Sequence, residues 1–267
     1  MLIGMHKVRE FVETAILSGY VKSCDPVSIA LIAGPEHGKT SVVLERNCEG
    51  VIVLSDTTGR GIQNVCQMKP ELRFLVINDL MAIGGKKHNV VQGTISMLAA
   101  MTEEGIKATA YPGAVQSFEN GKRGVIVCMT PQMASDNRHW WNRSGFSSRL
   151  LPFCFSHSSA LTLKINTAIR KGGHDAHWSR AVDKNFKLPV PLRVDISNSF
   201  AVHVEKLAGI RAAVLGEEGY RRHHQYRGLA RAHAIWRSWK NRNVSKADVE
   251  FLEWVDGFVS YTVGKSL

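Results

Sequence analysis

Eight consecutive residues, Gly34, Pro35, Glu36, His37, Gly38, Lys39, Thr40 and Ser41, carry the strongest chemical signal in the chain. A flexible glycine next to a lysine and two hydroxyls can wrap an anion. Successive backbone N–H groups hold a phosphate, Gly38 lets the main chain approach it, Lys39 reaches the outer phosphates, and Thr40 offers a hydroxyl to Mg²⁺. Against the pattern G-x-x-x-x-G-K-[S/T], Ala33 replaces the first glycine, so the match is to the relaxed [A/G]-x-x-x-x-G-K-[S/T] form.

Such a loop works only between a strand and a helix. The apolar run Val27–Ala33 predicts the strand, and residues 42–47 (VVLERN) predict the helix. A second apolar strand, Arg73–Leu80, ends in Asn78-Asp79 and supplies the acid that a bound metal requires. Two registers remain open. Either Asp79 stands at the catalytic acid's position with Asn78 at the metal's, or Asp79 is itself the metal residue. Both leave one carboxylate where two are common, with Glu103 or Glu104 as candidates for the second. Gly50–Asp56 is a further strand, to whose following loop no role is assigned.

In sequence order these segments resemble the Walker A and Walker B motifs of AAA+ P-loop ATPases. The motif order is nearest to that of the minichromosome-maintenance (MCM) helicases. The strand Gly124–Met129, ending at Thr130, resembles the sensor 1 strand, and the resemblance gives Thr130 a contact with the γ-phosphate or attacking water. Ser148-Arg149-Leu150-Leu151-Pro152-Phe153 resembles the family's "LLSRFD" stretch, with Leu150 in place of its Phe. By that likeness Arg149 is an arginine finger acting on a neighbouring subunit's ATP, which implies an oligomer. Residues 220–261 resemble the family's helical lid, and its sensor 2 arginine falls on Arg221, Arg222 or Arg227. The segment from Glu104 to Arg123 corresponds to a hairpin that touches DNA in the family, through Lys107, Lys122 or Arg123; an ordinary hairpin or loop fits it equally.

Other segments have simpler readings. Residues 6–18 predict a helix with Val8, Phe11, Val12, Ala15 and Ile16 on one face. Ser245 and Asp248 have capping-box spacing. Leu161–Ile169 is a strand or a helix, and Lys171–Trp178 a loop whose His174, Asp175 and His177 lack a third metal ligand. Pro189 and Pro191 mark a linker, with the boundary near Ser197, giving an ATPase core at 1–197 and a helical lid at 198–267. The cluster Arg138, His139, Trp140, Trp141 and Arg143 suits aromatic packing better than stacked bases. Trp236 and Trp239, three apart, are expected in the lid core.

The 267 residues are 44 % hydrophobic and 21 % charged, which excludes disordered and fibrous classes. The longest apolar runs fall far short of the roughly 20 residues that cross a bilayer. With an early-charged N-terminus, they predict a cytoplasmic chain with no membrane partner. Five cysteines without a CxxC pair fit neither a disulfide framework nor a zinc site. Thirty-four Lys and Arg against 23 Asp and Glu give a net charge of +11, suited to a polyanion.

The expectation is therefore an α/β P-loop NTPase of AAA+-like form, a parallel sheet flanked by helices and followed by a small helical lid. It binds ATP and Mg²⁺, forms a homo-oligomeric ring or filament, and acts on DNA, with an accessory protein for loading. The alternatives are a chelatase- or MoxR-like remodeller of a protein partner and a slow-turnover assembly scaffold.

Overall fold

The strand expected before the phosphate loop forms at Ile29–Ile32 (β1), and all four residues are buried. Burial of every position demands strands on both sides and cover on both faces. β1 lies parallel between Gly124–Met129 (β6) and Leu151–Ser156 (β7), pairing Ile29 with Ile126 and with Leu151. Phe74–Ile77 (β3) flanks β6, Val51–Leu54 (β2) flanks β3, and Lys265–Ser266 (β8) adds to β7, so the order is β2-β3-β6-β1-β7-β8. Every pairing is parallel. The computed structural model describes residues 3–44, 46, 49–106, 108–111, 114–117, 122–171, 191–262 and 264–267. Lys107, His174, Asp175, His177 and Pro189 lie outside the described residues.

Alternation along the strands divides the core in two. Ile29, Leu31, Phe74, Val76, Ile126, Cys128, Leu151 and Phe153 face one side. There they meet His6–Ser18 (α1) and the C-terminal helices Asn198–Leu215 (α9), Tyr220–Arg237 (α10) and Lys246–Asp256 (α11). Ala30, Ile32, Leu75, Ile77, Val125 and Val127 face the other side, which is covered by Gly59–Met68 (α3), His88–Glu103 (α5), Pro131–Arg143 (α6) and Phe146–Arg149 (α7). The remaining helices are Lys39–Leu44 (α2), Met81–Gly84 (α4) and Ser159–Arg170 (α8). The apolar stretch left open between strand and helix is thus helical, with Ser158 capping it by accepting from Leu161 N at 3.2 Å. An antiparallel hairpin, Ala108–Tyr111 (β4) with Ala114–Ser117 (β5), precedes β6.

The five predicted residues of α1 are completely buried, and Phe11 stacks on Phe153 with centroids 4.4 Å apart. Each large apolar side chain so buried contributes about 1.5–3 kcal/mol relative to exposure. Glu10 and Glu13 of the same helix are buried too, and buried carboxylates need partners. His233 Nε2 lies 2.9 Å from Glu10, and its Nδ1 lies 2.7 Å from Asp248. Trp236 Nε1 donates to Glu13 at 2.8 Å, and Arg46, just after α2, pairs with Glu13 at 2.8 Å. The His233 ring stacks on Phe251 at 4.0 Å. Asp248 also accepts from the Ser245 backbone N–H at 2.7 Å, completing the expected helix start. Burial would raise the Asp248 pKa, but hydrogen bonds from His233, Arg237 and Ser245 outweigh it and hold the carboxyl at about 2.

Trp236 and Trp239 correct an expectation. Trp239 is exposed because α10 ends at Arg237 and it falls in the turn beyond, off the helical face, whereas Trp236, in the last turn, is partly exposed while its ring stacks on His233 at 5.4 Å. The cluster on α6 packs as expected. Trp141 is buried edge-on against Phe146 at 5.8 Å, and the Arg138 guanidinium lies 5.7 Å from the Tyr261 ring.

Candidate nucleotide-binding site

A parallel sheet sends the exits of all its strands to one edge, where open α/β sheets bind ligands. The residues following β1, β3, β6 and β7 therefore share that edge. The loop after β1 is anchored at its base by Ala33 N donating to Met129 O at 3.2 Å. It turns through Glu36 at φ 63° and Gly38 at φ 74°, both left-handed. A Cβ at Gly38 would meet nothing closer than 3.7 Å, so glycine is required there by conformation and not by crowding. At Gly34 the reverse holds, since a Cβ would press on the His37 ring at 3.0 Å.

Lys39 opens α2 and folds back, its Nζ donating to Gly34 O at 3.2 Å. Burial lowers the Lys39 pKa, against the opposing pull of nearby Cys128 and Asp79. Thr40 Oγ1 donates to Asn78 O at 3.4 Å, tying the loop's helix to the end of β3. Asn78 Oδ1 is buried and has no hydrogen-bond partner among the described residues. Asp79 is exposed and accepts from Met81 N at 2.9 Å, which starts α4. The unsatisfied Asn78 amide oxygen, the Thr40 hydroxyl and the Asp79 carboxylate are all hard oxygen donors, the kind that Mg²⁺ prefers. Among the described residues no group of three or more His, Cys, Asp or Glu could hold a metal by themselves.

Thr130 lies one residue beyond β6, between the Gly34–Ser41 loop and Asp79 because β6 separates β1 from β3. Its oxygen accepts from Met133 N at 3.2 Å, which leaves the hydroxyl proton to donate. The structure also brings His157, at the exit of β7, against His37 with ring centroids 4.7 Å apart. Burial, followed by the neighbouring His37, lowers the His157 pKa. Sequence reading missed His157, although its place just past a strand adjoining β1 was the available signal. Pro35, Glu36, His37 and Ser41 belong to the same loop and helix start, with Pro35 O 2.8 Å from His37 Nδ1.

Arg149 lies at the opposite edge. It precedes Leu151, which pairs with Ile29 at the start of β1, whereas the Gly34–Ser41 loop follows Ile32. The length of β1 alone separates them by roughly 10–13 Å. Arg149 pairs with Glu103 and donates through Nη1 to Gly145 O at 2.5 Å. Arg221 joins the same carboxylate, its Nε donating to Glu103 Oε1 at 3.1 Å and its Nη1 to Ser148 Oγ at 2.6 Å. Burial works against the charge on Glu103, but the two arginines hold its pKa below the usual range.

Three sequence-based options are corrected here. Glu103 and Glu104 end α5 at the Arg149 edge, so neither completes the acid set beside Lys39 within one chain. Arg222 is fully buried, held by Glu217 at 2.7 Å, Leu150 O at 2.7 Å and Gln225 at 2.7 Å, which commits it to packing the C-terminal helices onto the sheet. Arg123, offered as a DNA contact, is also buried and donates to Leu72 O at 3.1 Å, while Lys122 pairs with Asp25 at 2.9 Å. Arg227 lies further along α10, half-buried.

No family model matches the sequence, and no curated protein does. Among solved structures, the chain is similar to a full-length MCM homolog from Methanopyrus kandleri, with a TM-score of 0.54 and 14 % identity over 97 % of this chain. The match spans 56 % of that protein's length. The fold is thus α/β, a six-stranded parallel sheet flanked by helices and similar to part of that MCM homolog. No described helix is long and apolar enough to cross a membrane.

Proposed function

We propose that this chain is a Mg²⁺-dependent ATPase of the AAA+ type that works as a homo-oligomer and acts on DNA. One observation carries the reading. Lys39, Thr40, Asn78, Asp79 and Thr130 converge on one edge of the sheet from three separate strands, while Arg149 stands at the other edge, beyond reach of its own loop.

In this reading the backbone of residues 34–38 and the Lys39 ammonium bind the phosphates. Thr40, with Asn78 and Asp79 at the end of β3, holds Mg²⁺, which supplies charge neutralisation on the phosphoryl oxygens. Thr130 donates its free proton toward the outer phosphate or the attacking water, and Asp79 is the group able to orient that water. Arg149 stabilises the transferring phosphoryl group of a second copy, since a cation placed where negative charge develops lowers the barrier. Arg221, bound to the same carboxylate as Arg149, is the lid arginine best placed to join it. Residues 198–267 form the lid. The net charge of +11 supports a nucleic-acid partner, with an accessory protein providing loading.

The test is ATP binding and turnover of the full chain with and without single- and double-stranded DNA, alongside solution mass. DNA-stimulated turnover that weakens steeply with salt supports the motor. Turnover indifferent to DNA favours remodelling of a protein partner. The lone exposed carboxylate of Asp79 supports a second reading, a slow-turnover scaffold, which tight ATP binding with negligible hydrolysis would establish.

A further inference from the structure

Glu103, placed too far from Lys39 to complete the acid set there, instead organises the amino edge of the sheet. Its two carboxylate oxygens are divided between two arginines. Oε2 takes the Arg149 Nη2 pair, and Oε1 takes Arg221 through both Nε and Nη2. The three residues come from α5, α7 and α10, with 118 positions between Glu103 and Arg221. Each guanidinium has a second anchor, Gly145 O for Arg149 and Ser148 Oγ for Arg221. Gly145, at φ 69°, makes the first anchor possible, because a Cβ there would collide with Arg149 Nη1. Glu103, Ser148 and Arg221 line an open cleft of about 610 Å³ with Tyr220 and His224.

We propose that Glu103 is a positioning residue that locks Arg149 and Arg221 into one forked cationic unit facing the triphosphate of a second copy. The inference rests on the ATPase reading above. Two arginines side by side repel each other, and each has about 2 kcal/mol of rotamer entropy to lose. A carboxylate between them cancels the repulsion and fixes both planes, yet the trio keeps a net positive charge. The ordering cost is then met during folding instead of at the reaction, which is what preorganised electrostatic stabilisation requires.

Two measurements on the full chain test this. In nucleotide-free protein with ¹⁵N-labelled arginine, Arg149 and Arg221 should show restricted guanidinium rotation by NMR, and Glu103→Gln should release both together. At saturating Mg-ATP, Glu103→Gln should lower kcat by about tenfold or more, toward the roughly 100-fold that a small misplacement of a catalytic group can cause. KM should stay within about twofold, since the phosphate loop is untouched. With both arginines already replaced, adding Glu103→Gln to Arg149→Ala/Arg221→Ala should cause no further loss of kcat. An unchanged or faster kcat in Glu103→Gln overturns the proposal, as does a slower kcat with both arginine signals unaltered. If the wild-type chain shows no turnover, the ATPase reading fails and takes this inference with it. If Arg149→Ala stops turnover and Glu103→Gln does not, the inference alone is lost.

Discussion

The two edges of the sheet are built by different means. At the carboxyl edge, a contiguous run from Gly34 to Ser41 makes most of its own contacts, such as Lys39 to Gly34 O and His37 to Pro35 O. Its left-handed turns are local, and Pro35 and Glu36 are exposed. At the amino edge nothing is contiguous. Arg149, Glu103 and Arg221 meet only because α5, α7 and α10 pack around the start of β7. The first edge, the proposed ligand cradle, is written in one stretch of chain. The second is a charge constellation that exists only once the whole sheet and the C-terminal helices have assembled.

The sharpest way to break this contrast is to strike each edge separately. In the proposed reading Lys39→Ala removes contacts to two phosphates, each worth about 1.5–3 kcal/mol as charge-assisted hydrogen bonds. Nucleotide affinity and turnover should fall by roughly 10²- to 10⁴-fold, measured by titration calorimetry and phosphate release. Arg149→Ala should lower kcat by roughly 10²- to 10³-fold while Mg-ATP affinity stays within about twofold. Equal loss of affinity in the two variants would erase the distinction between a cradle and a trans-acting cation. Mixing the two inactive variants sharpens it further. Mixed oligomers pairing an intact loop with an intact Arg149 should recover part of the turnover, whereas an arginine acting within its own chain predicts none.

The buried clamp between α1, α10 and α11 belongs to neither edge and serves as the control. The folded-state pKa of Asp248, about 2, lies below its ordinary value of 3.8, so its stabilisation is full above pH 4 and fades as pH falls toward 2. Asp248→Asn should therefore cost about 2 kcal/mol near neutrality and flatten the acid limb of the stability profile, followed by urea denaturation from pH 2 to 7. Nucleotide affinity of the folded fraction should not change.

Local signals carried well. The periodicity of residues 6–18, the strand before Gly34 and the Ser245–Asp248 helix start each depend on neighbours a few positions away, and each took the form its pattern implies. Where reading failed, the deciding contact was distant. Arg123 and Arg222 look like surface cations in sequence, but carbonyls at Leu72 and Leu150 draw them inside. Trp236 and Trp239 look like a helical pair, but α10 stops between them. His233 gives no sign in sequence that Glu10, 223 positions earlier, will face its ring.

What the amino-acid order determined on its own was the turn from Gly34 to Ser41 and the run of strands and helices around it, because backbone dihedrals, caps and hydrophobic alternation are short-range. Tertiary structure alone decided which charges are partners. The energy of a buried or shared charge depends on what replaces its water, and here the replacements arrive from remote parts of the chain. Glu103 thereby became the companion of two arginines at the amino edge, instead of an acid beside Lys39.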